Sequence, residues 1–103
     1  MTHYLDLSKD CGAYLADGAK ALEYRRENID PYMEICPEVE LDFTGVRMAN
    51  SSFINALLAE LLEQHGSKAL EILLFRGCNP TVSVLVESAI ELGLQKASRH
   101  TLA

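Results

Sequence analysis

The chain has 103 residues, of which 49% are hydrophobic and 23% charged, with 15 acids against 9 bases and a formal net charge of −6. That length predicts one domain over residues 1–103, able to bury roughly two-thirds of the surface of the extended chain without disulfide staples. The acidic balance repels phosphate backbones and anionic lipid heads, and no basic block or aromatic–basic interleaving offsets it, which argues against nucleic-acid and membrane-surface roles.

Tyr4, Leu5 and Leu7 around Asp6 predict a short first strand, broken by Asp10, Cys11 and Gly12. From Ala13 to about Asn28 the apolar period is helical, with Leu15, Ala19, Leu22 and then Ile29 on one face and Asp17, Lys20, Glu23 and Glu27 outward. Glu23 and Glu27 stand one turn apart and repel mildly. Asp30-Pro31 stops this helix, because proline cannot continue the hydrogen-bond ladder, with its last turn reaching as far as Tyr32–Ile35. After Pro37, Glu38 to Phe43 alternates strictly and places Val39, Leu41 and Phe43 on one face of a strand.

Thr44-Gly45 ends that strand. Phe53, Ile54, Leu57, Leu58, Leu61 and Leu62 then recur at helical spacing, and either Ser51 or Ser52 can cap the helix by accepting an orphan N–H. Gly66 closes it. Leu70 and the run Ile72 to Phe75, broken only by Glu71, predict a central strand covered on both faces. Asn79-Pro80 reads as an N-cap with proline at the first helical position, followed by the buried stripe Val82, Leu85, Val86, Ala89 and Ile90. Gly93 should end that helix and leave residues 94–103 as a weak edge strand or a frayed tail. Strands alternating with helices predict an α/β fold, β-α-β-α-β-α with a possible terminal edge strand, on a small, mostly parallel sheet of about four strands.

Signatures of catalysis are sparse. Neither GxGxxG nor GxxxxGK[ST] follows a strand, no GxSxG elbow marks a nucleophile, and no cofactor is expected. His3, His65 and His100 are dispersed, none with metal-ligand spacing, and each is expected to be solvent-exposed near a terminus or loop. Cys11, Cys36 and Cys78 are odd in number and contain no CxxC, which argues against disulfides and zinc and fits a reducing compartment. The opening MTHYLDLSKD lacks the apolar core of a signal peptide, and no apolar run approaches the ~18 residues of a membrane span, so a cytoplasmic location is expected.

Cys78 precedes a helix N-terminus, where a thiolate would be stabilised, although a small residue filling a turn is the simpler reading. Between Glu27 and Asp42 lie six acids and no Lys or Arg, read either as a patch for a basic partner or as solvated surface, the latter favoured. Asp42 stands near the carboxyl end of its strand, where open α/β sheets place functional groups. A small hydrolase using Asp42, Ser51 and Cys78 is the weakest reading, because nothing supplies an oriented base for the serine.

The stretch LDFTGV, then ANSSF, then the apolar helix, then ILLFRGCNPTV and a helix ending ELGL resembles the STAS superfamily, the fold of anti-sigma-factor antagonists. It is most similar to the STAS-like branch called DUF4325, whose pattern is DFxGV followed by a Ser-Phe helix start, over roughly the C-terminal two-thirds of the chain. The resemblance implies a non-catalytic bacterial signal-transduction module that binds a histidine-kinase-like ATPase or an anti-sigma factor. In phospho-regulated STAS proteins a partner kinase phosphorylates the hydroxyl after an acidic turn residue and is released. By position that hydroxyl is Ser51, with Ser52 as second choice; Asn50 replaces the acid and Phe53 the usual glycine. The implied docking surface is Asn50, Ser51, Ser52 and Phe53 with Asn55 and Glu60 on the exposed side of the helix. The alternative is a constitutive structural subunit, a homodimer or part of a larger complex, with Met48 or Phe53 exposed for docking.

Overall fold

A computed structural model describes residues 1–102, with side-chain surroundings for residues 1–99. The elements run β1 (Thr2–Asp6), α1 (Leu7–Cys11), β2 (Tyr14–Leu15), α2 (Gly18–Asn28), a 3-10 turn at Asp30–Tyr32, β3 (Glu38–Asp42), β4 (Met48–Ala49) and α3 (Ser51–His65). A second 3-10 turn at Gly66–Lys68 leads into α4 (Ala69–Ile72), β5 (Leu73–Arg76) and α5 (Pro80–Leu102). The mixed α/β character and the parallel sheet agree with the sequence reading.

The main sheet has three parallel strands in the order β1-β3-β5, with Leu5 opposite Leu41 and Leu41 opposite Phe75. The alternation of β3 works as the pattern demands: Val39, Leu41 and Phe43 are buried. On the opposite face, the strand pleat places Tyr4, Glu40 and Leu74 in one row and Asp6, Asp42 and Arg76 in the next. A second sheet of two very short parallel strands, β2 and β4, pairs Tyr14 with Met48 and Leu15 with Ala49.

Helix α3 packs between α2 and α5. All six apolar residues of its predicted stripe are buried, each contributing roughly 1.5–3 kcal/mol of transfer free energy. Gly93 lies inside α5 rather than at its end. A Cβ there would overlap the Ala59 carbonyl and the Leu62 side chain, so glycine permits the close approach of α5 to α3. Helix α5 therefore continues to Leu102, and residues 94–102 form no edge strand. The expectation for residue 103 lies outside the described residues.

Three further expectations are corrected. Helix α2 starts at Gly18, not Ala13, because Asp17 Oδ1 accepts the Ala19 and Lys20 N–H groups at 3.0 and 3.3 Å and fixes the first turn there. Its buried face is Ala21 and Arg25; Ala19 is exposed, and Leu15 is buried from β2 instead. The strand at Leu73–Arg76 is an edge strand with Leu74 exposed, while Leu70 belongs to α4. The central strand is β3, since both neighbours bond to it. Among the described residues no helix is long and apolar enough to cross a membrane.

Candidate functional site

Each crossover leaves the carboxyl end of a strand of the main sheet and enters a helix, so the N-termini of α2, α3 and α5 start from that end. Side-chain amides stitch the entering loops together. Asn50 has extended backbone (φ −116°, ψ 169°) and its Oδ1 accepts the Phe53 N–H at 2.9 Å, while its Nδ2 donates to the Ala16 carbonyl at 3.0 Å. Asn79 repeats the device: Oδ1 accepts from Val82 N–H at 2.9 Å, and Nδ2 donates to the carbonyls of Val46 and Arg47 at 3.2 and 3.0 Å. An asparagine can cap a helix and bridge to another loop at once, whereas aspartate has no donor for the bridge.

The cap of α3 is therefore Asn50, and neither serine performs that role. Ser51 and Ser52 occupy the first two helical positions, both exposed, and their hydroxyls make no hydrogen bond to another described residue. Phe53 does not join the surface. It is 2% exposed, because as the third helical residue it turns inward at the head of the apolar stripe. Asn55 is half-buried, and Glu60 is exposed. The two lie together at an open groove of about 610 Å³ along α3 and α5. Met48 is 62% and its register partner Tyr14 64% exposed, which makes an apolar pair on the outer face of the small sheet.

The clefts along α3 and α5, between α1 and α2, and around Met33 to Ile72 are lined by none of Asp42, Ser51 and Cys78. The Asp42 carboxylate accepts the Tyr4 hydroxyl at one oxygen and the Thr44 N–H at the other, at 2.9 Å. These bonds, from Tyr4 first and Thr44 next, hold its carboxyl below the usual range. Burial, and then the Asp42 charge, pushes the Cys78 thiol up, so it is kept from the thiolate form. Cys11 is raised to about 11, by burial and then by Asp10. Among the described residues no group of three His, Cys, Asp or Glu side chains is placed to hold a metal ion.

The acidic run is largely spent on structure. Asp30 pairs with Arg25, Glu38 accepts from Thr2 Oγ1 at 2.8 Å, Glu40 pairs with Arg76 at 3.8 Å, and Asp42 is bonded as above. His3 corrects another expectation: it is half-buried, stacked on Tyr32 with centroids 3.7 Å apart, and its Nε2 lies 3.0 Å from the Asn28 carbonyl. His65 is also half-buried, and the surroundings of the His100 side chain lie outside the described residues.

Sequence reasoning missed Arg25. It is 2% exposed, with Nη1 3.2 Å from Glu60 Oε2 and 3.3 Å from the Ala56 carbonyl, and Nε 3.3 Å from Asp30 Oδ1 in an ion pair without a hydrogen bond. Its spacing from Ala21 and Ile29, four residues on either side, was the available signal.

Residues 25–83 match the family model of the STAS-like domain of unknown function, DUF4325. The chain belongs to this STAS-like family. No curated protein and no solved structure matches the chain. The STAS-like region runs from Arg25 through β3, the stitched corner, α3 and β5 to Ser83 in the first turns of α5. It thus contains Arg25, Asn50 to Asn55 and Asn79, while β1, most of α2 and most of α5 lie beyond it. The resemblance through ELGL extended further into α5 than the family match does.

Proposed function

We propose that this STAS-like domain is a regulatory protein-binding module whose docking corner is the start of α3, with Ser51 as phospho-acceptor and Ser52 as second choice. The observation that carries the reading is the division of labour at that corner. Asn50 does the capping, which leaves two adjacent hydroxyls exposed and unengaged on a rigid first turn.

A phosphate on Ser51 meets free N–H groups and the positive end of the helix dipole, so the helix itself tolerates it. It adds roughly −1.5 to −2 charges. A partner packed over the corner would have to bury that charge unpaired, a cost of several kcal/mol that changes affinity by orders of magnitude. The fitting partner is a histidine-kinase-like ATPase or an anti-sigma factor, and the module is itself non-catalytic. Asn50 offers no carboxylate, so the metal and base chemistry of transfer falls to the kinase.

Intact mass of the protein purified from its own host, before and after phosphatase, is the test. A phosphatase-sensitive increment mapping to Ser51 or Ser52, together with loss of partner capture by Ser51→Asp, supports the switch. Unmodified protein and a Ser51→Asp variant that captures the same partner equally well would overturn it.

The exposed Tyr14–Met48 pair favours a second reading, a constitutive subunit. It calls for phosphate-free protein held in one stable assembly, a homodimer included, that Met48→Lys dissociates.

A further inference from the structure

A cleft of about 450 Å³ opens between α1, β2 and α2, next to the serine corner, within the range of about 300–1,000 Å³ usual for ligand sites. Three features tie it to that corner. Phe53 contributes to its lining, Ala16 in its wall accepts the hydrogen bond of Asn50, and Gly18, beside the lining residue Asp17, packs against Ser52. The cleft has aromatic walls, Tyr14 and Tyr24, and carboxylates on its rim, Asp10, Asp17, Glu23 and Glu27, against the single base Lys20.

Two of these carboxylates are committed. Asp10 accepts the Tyr24 hydroxyl at 2.7 Å, and Asp17 caps α2. Glu23 and Glu27 make no hydrogen bond or ion pair with another described residue. They stand one helical turn apart and repel mildly, with Lys20 the one base on the same rim, so a further cation placed between them is favoured. Carboxylates about 5–6 Å apart at their Cβ atoms beside tyrosine rings suit a planar, weakly hydrated fork better than a compact ammonium group.

We propose that this cleft receives an arginine side chain of the protein partner, its guanidinium bridging Glu23 and Glu27 and lying against Tyr14 or Tyr24. This inference rests on the reading of the adjacent serine corner as a docking surface. It adds the partner's chemistry: an exposed arginine at the margin of its own contact patch.

The experiment titrates the full ¹⁵N-labelled chain with a capped Gly-Gly-Arg-Gly-Gly peptide and with its citrulline counterpart, which keeps the shape and removes the charge. The expected result is amide shifts confined to residues 10–27 and Phe53, with citrulline binding weaker by about tenfold or more. Glu23→Gln/Glu27→Gln, on an exposed helix face, should weaken the arginine peptide by a similar factor with the remaining spectrum unchanged. Equal binding of citrulline, shifts spread over the Glu38–Glu40 face of the sheet, or an unaffected double variant would overturn the proposal.

The two readings fail separately. Arginine binding in the cleft of a protein never modified or contacted at Ser51 leaves the cleft and removes the docking reading. Partner capture that depends on Ser51 but not on Glu23 and Glu27 removes the cleft alone.

Discussion

Arg25 on α2 reaches Glu60 on α3 with Nη1 and Oε2 3.2 Å apart, although Arg25 is 2% and Glu60 48% exposed. The pair is thus asymmetric, one charge inside the protein and the other at its surface. Removing the inner partner should cost far more than removing the outer one. Arg25→Ala leaves Asp30 and the Ala56 carbonyl without their cation and is expected to lose about 3–5 kcal/mol. Glu60→Gln, with Asp30 still in place, should lose well under about 1 kcal/mol. Urea denaturation of both variants checks the ratio.

Acid stability follows from two carboxylates. The Arg25 guanidinium holds Glu60 low, and the Tyr4 hydroxyl and Thr44 hold Asp42 low. A folded pKa below the unfolded value stabilises above the unfolded pKa, about 4.3 for Glu and 3.9 for Asp. That stability is lost as pH falls through the folded values. The urea midpoint should be level above about pH 5 and decline below it, with a shallower decline in Tyr4→Phe.

The same hydrogen bond acts at the alkaline end with opposite sign. Tyr4 is raised to about 12, chiefly by its bond to Asp42 and then by burial. Its contribution is complete below the unfolded tyrosine value of about 10 and disappears as pH rises through the folded value. Ultraviolet titration of tyrosinate should show two late-ionising groups, Tyr4 and Tyr24, the second held up by burial and by its bond to Asp10, and only Tyr24 in Tyr4→Phe.

Gly93→Ala gives a prediction whose sign decides the packing. In an exposed helix interior the change stabilises by about 1 kcal/mol. Here the added methyl meets the Ala59 carbonyl and Leu62, and overpacking of this kind costs about 1–3 kcal/mol. Thermal melts should show a lower midpoint, and a higher one would contradict the α3–α5 crossing.

The cap assignment is checked by four substitutions. Ser51→Ala and Ser52→Ala should leave stability within about 0.5 kcal/mol, because neither hydroxyl is bonded to another described residue. Asn50→Ala should cost about 1–2 kcal/mol. Asn50→Ser keeps an acceptor for Phe53 N–H but cannot also hold the Ala16 carbonyl, and should fall between them. Chemical denaturation of the four variants gives that order.

The strand Glu38–Asp42, the buried stripe of α3 and the Asn79-Pro80 helix start were all legible along the chain. Each rests on periodicity or capping over a few consecutive residues, and the LDFTGV and ANSSF stretches carried the family in the same local way. Arg25 was not read as buried, because an arginine looks like surface until Asp30 and Glu60 are known to meet it. Ser51 and Ser52 looked like caps because a hydroxyl at a helix start usually is one, and the rival acceptor, Asn50, is distinguished by a bond to Ala16, 34 residues earlier. The edge position of β5 and the passage of α5 through Gly93 were hidden for a related reason. A hydrophobic run states that a segment is covered, but the coverer is supplied by chain far away, and strand order and helix crossings come into being only when those distant pieces pack together.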